Sequence, residues 1–463
     1  MKFKNLIPFS IGSALLIVTH SASAQFFTTG DLVVSTYGSL TSATLLDGQA
    51  TPITLLDYSL PTATSISLTM SDQLPITGTG ANVGIIGEYG SSSEGTIQVS
   101  GNGQYLTIGG YDGNLAANGG PYGGGHTAEA QSTDTNVPRV AAVINIATGA
   151  VDTSTVLNDI YNTNNPRAVY SPDGTSLYLS GQGANASDEG GLYLTSKGTN
   201  TTTGGAAPTP IFNAVSTRTI TQAFYNANGT ASAVANTFYA ADQNSGKGVL
   251  TGIFEYAGSP TSSQGSNTGT QLTPASGTVN GTATNFSPEA FAFANATTLY
   301  VADTGDPKAG GVGDGGIQKW VFSGGSWNLA YTLRPSTFVP TTTATSVSSG
   351  ETGFESMALR LDGNGNVDIY ATSYTAGDAN PNGLYAVVDN VSFTTAAQAS
   401  GESVVELAVA SGSTNANGED ANFKGVALVP TPEPTTAISL VGGLGVLLGM
   451  SRRRGRSSVP AGR

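Results

Sequence analysis

Histidine and cysteine, the side chains most used for nucleophilic catalysis and zinc binding, are nearly absent from this chain. The 463 residues include two histidines and no cysteine. His20 lies in an N-terminal leader, and His126 stands alone in a glycine-rich stretch. A Ser-His-Asp triad would depend on His126, yet no Gly-x-Ser-x-Gly motif accompanies it. Zinc sites need several histidine or cysteine ligands. Triad hydrolases, thiol chemistry and zinc sites are therefore disfavoured.

Carboxylates and arginines are the remaining candidates for chemistry. Glycoside cleavage needs two acids at a fixed separation, and Glu289 and Glu355 each begin a run typical of a strand. Arg167, Arg218 and Arg360 are the basic candidates for the same place. No spacing in the sequence pairs these groups, so their meeting depends on the fold. Such residues more often hydrogen-bond to one another than perform chemistry.

Oxygen-bearing side chains make Ca²⁺ the most credible ion. Asp362, Asn364, Asn366 and Asp368 alternate with glycine and valine, as in part of a calcium loop. The run lacks the glycine and glutamate that an EF-hand requires at its sixth and twelfth positions. A simple glycine- and asparagine-rich turn is the competing interpretation. A second acidic connection carries Asp303, Asp306 and Asp314.

The elements that would position these residues are strand pairs joined by tight turns. Residues 167–180 contain a strand, a Pro-Asp-Gly turn and a second strand with alternating apolar and small polar residues. Asp-Gly between such runs is a strong hairpin signal, because glycine supplies the positive φ of the turn. Looser copies recur, with second strands centred on Tyr105, Tyr178, Tyr239, Tyr300 and Tyr370.

This recurrence predicts an all-β chain whose residues 25–429 form a single β-propeller of six blades. Residues 423–429 resemble the first strand of a pair without a second, so we expect them to complete the N-terminal blade and close the ring. Seven blades is the alternative, because residues 71–94 could hide strands. A β-sandwich is the competing fold. In a propeller, Glu289 and Glu355 would begin inner strands of adjacent blades and could face the central channel.

The charge of the body excludes one class of partner. Without the seven basic residues of the two ends and Glu433, ten basic residues stand against thirty acidic ones, a net charge near −20. A nucleic-acid binder needs the opposite sign, so we expect no nucleic-acid partner. Acidity suits solubility, repulsion from anionic surfaces or cation uptake.

Residues 1–24 have the pattern of a secretory signal peptide. Lys2 and Lys4 precede a short apolar run, and Ala22 and Ala24 offer small-residue cleavage positions before Gln25. The apolar run is too short to span a bilayer stably. We therefore expect export and removal of the leader by signal peptidase.

The C-terminal residues 430–456 have three successive parts, and residues 457–463 are expected to be disordered. Pro432, Glu433 and Pro434 lie in an extended segment, and residues 437–450 form an apolar run that is marginal for spanning a membrane. A basic cluster then holds the C-terminus on the cytoplasmic side, at Arg452, Arg453, Arg454 and Arg456. A generic C-terminal anchor is the simplest alternative.

This tripartite order closely resembles the PEP-CTERM sorting signal of Gram-negative bacteria. The resemblance implies processing by an exosortase near Pro432–Glu433–Pro434, transient insertion in the inner membrane, and a host that makes exopolysaccharide. The body resembles the β-propeller proteins that often carry such tails, for example at residues 315–320, Gly-Gly-Ile-Gln-Lys-Trp. That second resemblance implies a fold and no activity.

These patterns together predict a protein delivered to the cell surface, outer envelope or extracellular matrix. The favoured function is a non-enzymatic structural or binding role linked to exopolysaccharide or biofilm, without a cofactor unless Ca²⁺ binds. The alternative is a hydrolase or lyase that acts on polysaccharide at the mouth of the channel. Two acids and a base gathered at one channel end would favour the enzyme.

Overall fold

The structure, a computed structural model, describes residues 25–39, 48–91, 93–113, 129–183, 190–214, 216–243, 250–273, 278–279, 282–283, 286–305, 315–339, 350–376, 381–410 and 420–430. These residues form strands joined by turns, with short 3-10 turns at Glu129–Gln131, Thr201–Thr203 and Gln398–Gly401. No helix in these ranges is long and apolar enough to cross a membrane. The leader predicted at residues 1–24 and the sorting tail predicted at residues 430–456 lie outside the described residues, apart from Pro430.

The described strands, in chain order, are β1 Leu32–Ser39, β2 Ala50–Thr62, β3 Ser65–Gln73, β4 Ile85–Glu88, β5 Gln98–Val99, β6 Tyr105–Asp112, β7 Arg139–Asn145, β8 Val151–Leu157, β9 Pro166–Tyr170, β10 Ser176–Gly181, β11 Gly191–Ser196, β12 Thr209–Asn213, β13 Thr217–Tyr225, β14 Ala231–Gln243, β15 Leu250–Tyr256, β16 Thr270–Gln271, β17 Thr278–Val279, β18 Thr282–Ala283, β19 Pro288–Asn295, β20 Thr298–Asp303, β21 Gly316–Ser323, β22 Ser326–Leu333, β23 Glu351–Leu361, β24 Asn366–Thr375, β25 Gly383–Asn390, β26 Val405–Val409 and β27 Asp420–Leu428.

Most of these strands fall into antiparallel groups of four, which resemble propeller blades. Sheet 1 is β27-β1-β2-β3, sheet 2 is β5-β6-β7-β8, sheet 3 is β9 to β12, sheet 4 is β13 to β16, sheet 5 is β19 to β22, and sheet 6 is β23 to β26. The short strand β4 pairs with both β2 and β6 and so joins sheets 1 and 2. It is the one named strand in residues 74–94, where the sequence left room for a seventh blade.

The hairpin at residues 167–180 is confirmed. β9 pairs antiparallel with β10, placing Tyr170 opposite Tyr178. In the turn, Asp173 Oδ1 accepts the backbone N–H groups of Thr175 and Ser176, each at 2.8 Å. Gly174 has φ of +82°, the conformation that glycine adopts without strain. Local turn chemistry therefore sets the register of this pair.

The first strand of each sheet, called here its innermost strand, lies beside that of the next sheet. The order β5, β9, β13, β19, β23, β27 returns to β5, so the six innermost strands form a closed circle. The last strand expected from the sequence, at residues 423–429, is β27, which pairs antiparallel with β1. The C-terminal end of the body thus shares a sheet with its N-terminal end, which leaves no open edge between them.

Apolar side chains fill the space between neighbouring sheets. Between sheets 4 and 5, Phe238, Phe291 and Trp320 are each at most 4% exposed. Burying one such aromatic side chain contributes about 1.5–3 kcal/mol. These aromatic side chains therefore stabilise the contact between sheets 4 and 5.

Candidate functional site

Each innermost strand, or in β5 the segment just before it, carries a charged residue followed by a small one. The six pairs are Glu94-Gly95, Arg167-Ala168, Arg218-Thr219, Glu289-Ala290, Glu355-Ser356 and Lys424-Gly425. The segment before β5 is in register with β9, because Thr96 bridges Ala168 in parallel. Three acids and three bases therefore lie around one end of the circle of strands. This set of six charged residues is called the charged ring.

The small residues of the pairs allow the strands to approach closely. A Cβ at Gly425 would lie 2.2 Å from the backbone nitrogen of Ile97, and one at Gly95 would lie 2.7 Å from Cβ of Lys424. Both distances are too short for any larger residue unless the backbone moves. The close approach brings the neighbouring charged side chains together and removes them from water.

Four buried or nearly buried residues form the best-defined part of this end: Arg167, Arg218, Asp242 and Glu289, called here the Arg218 cluster. Arg218 Nη1 is 2.7 Å from Glu289 Oε1, and its Nη2 is 3.4 Å from Asp242 Oδ2. Ser287 Oγ also donates to Asp242 Oδ2 at 2.8 Å. One guanidinium thus lies between two carboxylates that come from different sheets.

Arg167 lies beside this pair of sheets and is held by neutral groups. It donates to Ser216 Oγ at 2.9 Å and to Gln182 Oε1. Burial, followed by repulsion from Arg218, lowers the pKa of Arg167 to about 9. Burial also raises the pKa of Glu289 to about 7, although the charges of Arg218 and Arg167 oppose this shift. The pKa values of both groups therefore lie closer to neutral pH than those of exposed arginine and glutamate side chains.

The cluster retains hydrogen-bonding capacity. Among the residues that the structure describes, Arg167 Nε, Arg218 Nε and Asp242 Oδ1 are buried atoms without a hydrogen-bond partner. Two donors and one acceptor are therefore available within one group of charged side chains. Buried polar atoms of this kind are uncommon, because leaving them unpaired costs about 1–3 kcal/mol each.

The other half of the charged ring is acidic and more completely paired. Tyr111 Oη and Asn165 Nδ2 both donate to Glu94 Oε1, each at 2.5 Å. Burial raises the pKa of Glu94, and these hydrogen bonds oppose the shift. Lys424 Nζ lies 3.9 Å from Glu355 Oε1. This half resembles an internal structural network more than a site.

Hydroxyl groups on the second strands fasten neighbouring sheets at the same end. Thr107 Oγ1 of β6 donates to the carbonyl of Val169 in β9, and Thr372 Oγ1 of β24 donates to the carbonyl of Lys424 in β27. Both hydroxyls lie two residues after the tyrosine that marks the second strand. The sequence repeat therefore includes a bond between sheets as well as a hairpin.

Sheets 4 and 5 depart from this pattern. The residue two positions after the marker tyrosine is alanine in both, and the next residue is Asp242 in sheet 4 and Asp303 in sheet 5. Asp303 Oδ1 accepts the backbone N–H of Ser287 at 2.9 Å, and its Oδ2 accepts from Gln318 at 2.5 Å. Asp242 accepts from the Ser287 hydroxyl instead. The exchange of hydroxyl for carboxylate is what adds Asp242 to the Arg218 cluster.

The structure gathers most, but not all, of the predicted channel residues. Arg167, Arg218 and Glu289 come together, and Glu355 lies on the same ring beside Lys424. Arg360 lies elsewhere: its Nη2 is 2.8 Å from Asp368 Oδ2, and its side chain is 37% exposed. The interpretation of the sequence missed three members of this end, Glu94, Asp242 and Lys424. The charged-small repeat at residues 94–95 and 424–425 was a signal that could have found two of them.

Three of the four calcium candidates meet, but Asn364 and Asn366 donate from their side-chain amide nitrogens to Asp362 Oδ2 and so do not join it as oxygen ligands. Asp362 Oδ1 accepts the backbone N–H groups of Asn364 and Asn366 at 2.6 and 3.0 Å, and these bonds lower the pKa of Asp362. Asp368 faces Arg360 instead. The run therefore has the geometry of an Asx turn. Within the described ranges, no three His, Cys, Asp or Glu side chains are grouped to hold a metal ion. His126, Asp306 and Asp314 lie outside the described residues.

A second charged group lies between sheets 5 and 6, and it is called here the Lys319 cluster. Lys319 Nζ donates to Asp389 Oδ2 at 2.8 Å, to Asn390 O at 2.7 Å and to Tyr331 Oη at 3.0 Å. Tyr300 and Tyr331 both donate to the Asp389 carboxylate. The side chains of Lys319 and Asp389 are 0% exposed. All three ammonium protons have acceptors, so the group has a structural role.

No protein-family model matches the chain, and a search of curated proteins found no significant match. Among solved structures, a candidate 6-phosphogluconolactonase from Bacteroides uniformis aligns with TM-score 0.37 and 11% identity over 82% of this chain and 83% of its own. An oligogalacturonate lyase from Vibrio parahaemolyticus aligns with TM-score 0.32 and 11% identity over 74% and 76%. An oligogalacturonate lyase in complex with manganese aligns with TM-score 0.30 and 7% identity over 79% and 98%. Likenesses this distant imply no activity for this chain.

Proposed function

We propose that this protein is an exported binding protein that an exosortase sorts to the cell surface, where it binds a polysaccharide of the extracellular matrix. In this proposal the six sheets are the blades of one propeller, and the ligand contacts the end that carries the charged ring. The closed circle of innermost strands supports the propeller. The leader and the PEP-CTERM-like tail support export and sorting.

One observation carries the binding role: the Arg218 cluster keeps two donors and an acceptor without partners inside a group of opposite charges. Sugar hydroxyl groups donate and accept at the same time. A polyhydroxylated ligand that displaces the side chains covering the cluster would satisfy all three atoms, whereas a simple ion would satisfy only donors or only acceptors. The paired charges also keep the cluster near neutrality, which suits a neutral or weakly charged polymer.

Sorting is tested by intact-mass analysis of the protein from the envelope and from the medium of its host, with and without the exosortase. The expected result is loss of the residues beyond the Pro-Glu-Pro only when the exosortase is present. Replacing Pro432, Glu433 and Pro434 by alanine is the matched control. A full tail in both strains would contradict sorting.

Binding is tested by co-sedimentation of the full chain with the host's purified matrix polysaccharide. Absence of association would contradict the proposed binding role.

An enzyme that cleaves polysaccharide is the second candidate, and Glu289 is the observation that favours it. A carboxyl group with pKa about 7 beside two arginines could transfer a proton near neutral pH. Incubation of the full chain with the same polysaccharide, followed by mass spectrometry for shortened chains, distinguishes the two. Products that disappear in Glu289→Gln would establish the enzyme. Intact polymer with retained binding would establish the binding protein.

A further inference from the structure

A surface groove between sheets 4 and 5 lies away from the charged ring. Arg218 lies at the start of β13, whereas Asn228 in the groove follows the end of that strand and Ser326 follows the end of β21. Thr270 and Gln271 lie on β16, the strand of sheet 4 farthest from its innermost strand β13. The groove therefore lies on the outer side of the two sheets. Its volume, about 440 Å³, lies within the range typical of small-molecule sites.

The lining of the groove combines aromatic surface with uncharged hydrogen-bonding groups. Phe322, Trp327 and Leu272 supply the apolar part. The polar part is supplied by Asn228, Thr270, Gln271 and Ser326, all of them exposed. No charged side chain lines the described groove. In a body with a net charge near −20, this lining disfavours an ionic ligand and favours a neutral one.

The apolar part of the groove is held in place by contacts between the two sheets. Trp327 Nε1 donates to the carbonyl of Ala227 at 2.7 Å, and the Trp327 and Phe322 rings meet edge to face at 5.6 Å. A Cβ at Gly229 would lie 2.3 Å from the Phe322 ring, so only glycine lets the turn approach so closely. The groove is therefore built before any ligand arrives, which lowers the cost of ordering it on binding.

The polar groups keep free donors. Asn228 Oδ1 accepts the Thr230 hydroxyl at 2.6 Å, which directs the carbonyl side of the amide to its own turn and leaves the NH₂ group for a ligand. Gln271 Nε2 donates to the carbonyl of Thr251 at 3.2 Å, which leaves the side-chain oxygen of Gln271 as an acceptor for the ligand. Donor and acceptor thus lie around an apolar surface.

We propose that this groove binds a neutral sugar unit, with an apolar C–H face of the ring against Phe322, whose ring packs on the buried Trp327. The sugar hydroxyls hydrogen-bond to Asn228, Thr270, Gln271 and Ser326. The site is separate from the charged ring, and the inference rests on the proposed function only in taking a polysaccharide as the partner. A polymer that contacts both the groove and the charged ring would gain avidity from the two sites.

The test is calorimetric titration of the full chain with neutral hexasaccharides of glucose, galactose, mannose or xylose, and with a hyaluronan hexasaccharide as the acidic counterpart. We expect at least one neutral oligosaccharide to bind. Ser326→Phe fills the mouth of the groove and should weaken this binding at least tenfold, equivalent to about 1.4 kcal/mol. Thr64→Phe is the matched control, because Thr64 is an exposed hydroxyl residue in the turn between β2 and β3 of sheet 1 and should leave affinity unchanged.

Three outcomes would overturn the inference: no binding of any neutral oligosaccharide, equal affinity in Ser326→Phe and the wild type, or binding of the acidic oligosaccharide alone. Thermal unfolding of both variants shows whether they are folded. Glu289→Gln separates this inference from the proposed function. If Ser326→Phe binds the matrix polysaccharide as the wild type does and Glu289→Gln does not, the charged ring is the site and the groove is not.

Discussion

The Arg218 cluster and the Lys319 cluster are built from the same kinds of side chain but differ in how completely they are paired. Each places a base against a carboxylate between neighbouring sheets, at 2.7 Å for Arg218 and Glu289 and at 2.8 Å for Lys319 and Asp389. The side chains of the second pair are 0% exposed, and every ammonium proton has an acceptor. In the first, Arg218 Nε has no hydrogen-bond partner in the described part of the chain.

The difference indicates what each cluster does. A saturated ion pair has nothing left to offer a ligand, and its value lies in fixing how two sheets meet. An incompletely paired cluster is less favourable for stability and more useful for recognition, because a ligand can supply the missing partners. Disrupting the Lys319 cluster should therefore cost stability, and disrupting the Arg218 cluster should cost binding.

Removal of the buried base should have the largest effect. Lys319→Met leaves Asp389 buried without its cation, and we expect the free energy of unfolding to fall by about 3–5 kcal/mol. Chemical denaturation measures this loss. The matched control is Lys197→Met, since Lys197 pairs with Asp152 at 3.4 Å on the surface and should contribute at most about 1 kcal/mol. Equal losses in the two variants would break the comparison.

Removal of a single hydroxyl sharpens the comparison within each cluster. Tyr331→Phe takes one donor from the buried Asp389 carboxylate and should cost about 1–3 kcal/mol. Ser216→Ala removes an acceptor from Arg167 and leaves a buried N–H without that partner; we expect a loss of about 1–3 kcal/mol, no larger than that of Tyr331→Phe. Denaturant titrations of the two variants give the ranking. A larger loss for Ser216→Ala would show that the Arg218 cluster is structural.

The pH dependence of stability should identify Glu289. Its folded pKa of about 7 exceeds the ordinary value of 4.5, so between these values the folded state binds more protons than the unfolded state. Stability therefore falls as pH rises through this window. Glu289→Gln removes this contribution, and its free energy of unfolding relative to the wild type should rise from pH 4.5 to pH 7. Glu402 also has a raised pKa, about 8, so the stability of the Glu289→Gln variant still declines as pH rises. A constant difference between the two proteins would refute the shift.

The turn at residues 362–366 should give the smallest effect. Asp362 is partly exposed and accepts from its own turn. Asp362→Ala should leave the free energy of unfolding almost unchanged, and millimolar Ca²⁺ should not shift the thermal transition of either protein. A calcium-dependent rise in the wild type alone would restore the calcium interpretation.

The sequence predicted the repeated elements well because they depend on local chemistry. The Pro-Asp-Gly turn, the alternation along β9 and β10 and the marker tyrosines are all properties of short stretches. The pairing of the last strand with the first could be anticipated only because residues 423–429 lacked a second strand. The pairing of β4 with both β2 and β6 could not be anticipated, since a run of four residues carries no signal of which strands it pairs with.

The candidate site was harder to predict because it depends on distances between sheets. The sequence marks Glu289 as a residue that begins an inner strand and Arg167 and Arg218 as basic candidates for the same place, and the three do meet. Arg360 has the same charge but lies near the far end of β23, where Asp368 on the adjacent strand pairs with it. Asp242 comes from the second strand of sheet 4, and only the register of β13 against β14, which pairs Thr217 with Ala241, reveals its contact with Arg218.

The most direct test compares Glu289→Gln and Tyr331→Phe for both stability and binding of the host's matrix polysaccharide. The account predicts opposite outcomes. Glu289→Gln should bind at least roughly tenfold more weakly with its unfolding free energy at pH 5 changed by less than about 1 kcal/mol. Tyr331→Phe should lose stability and bind as the wild type does. Unchanged binding in Glu289→Gln, or weakened binding in a folded Tyr331→Phe, would contradict the assignment of recognition to the Arg218 cluster.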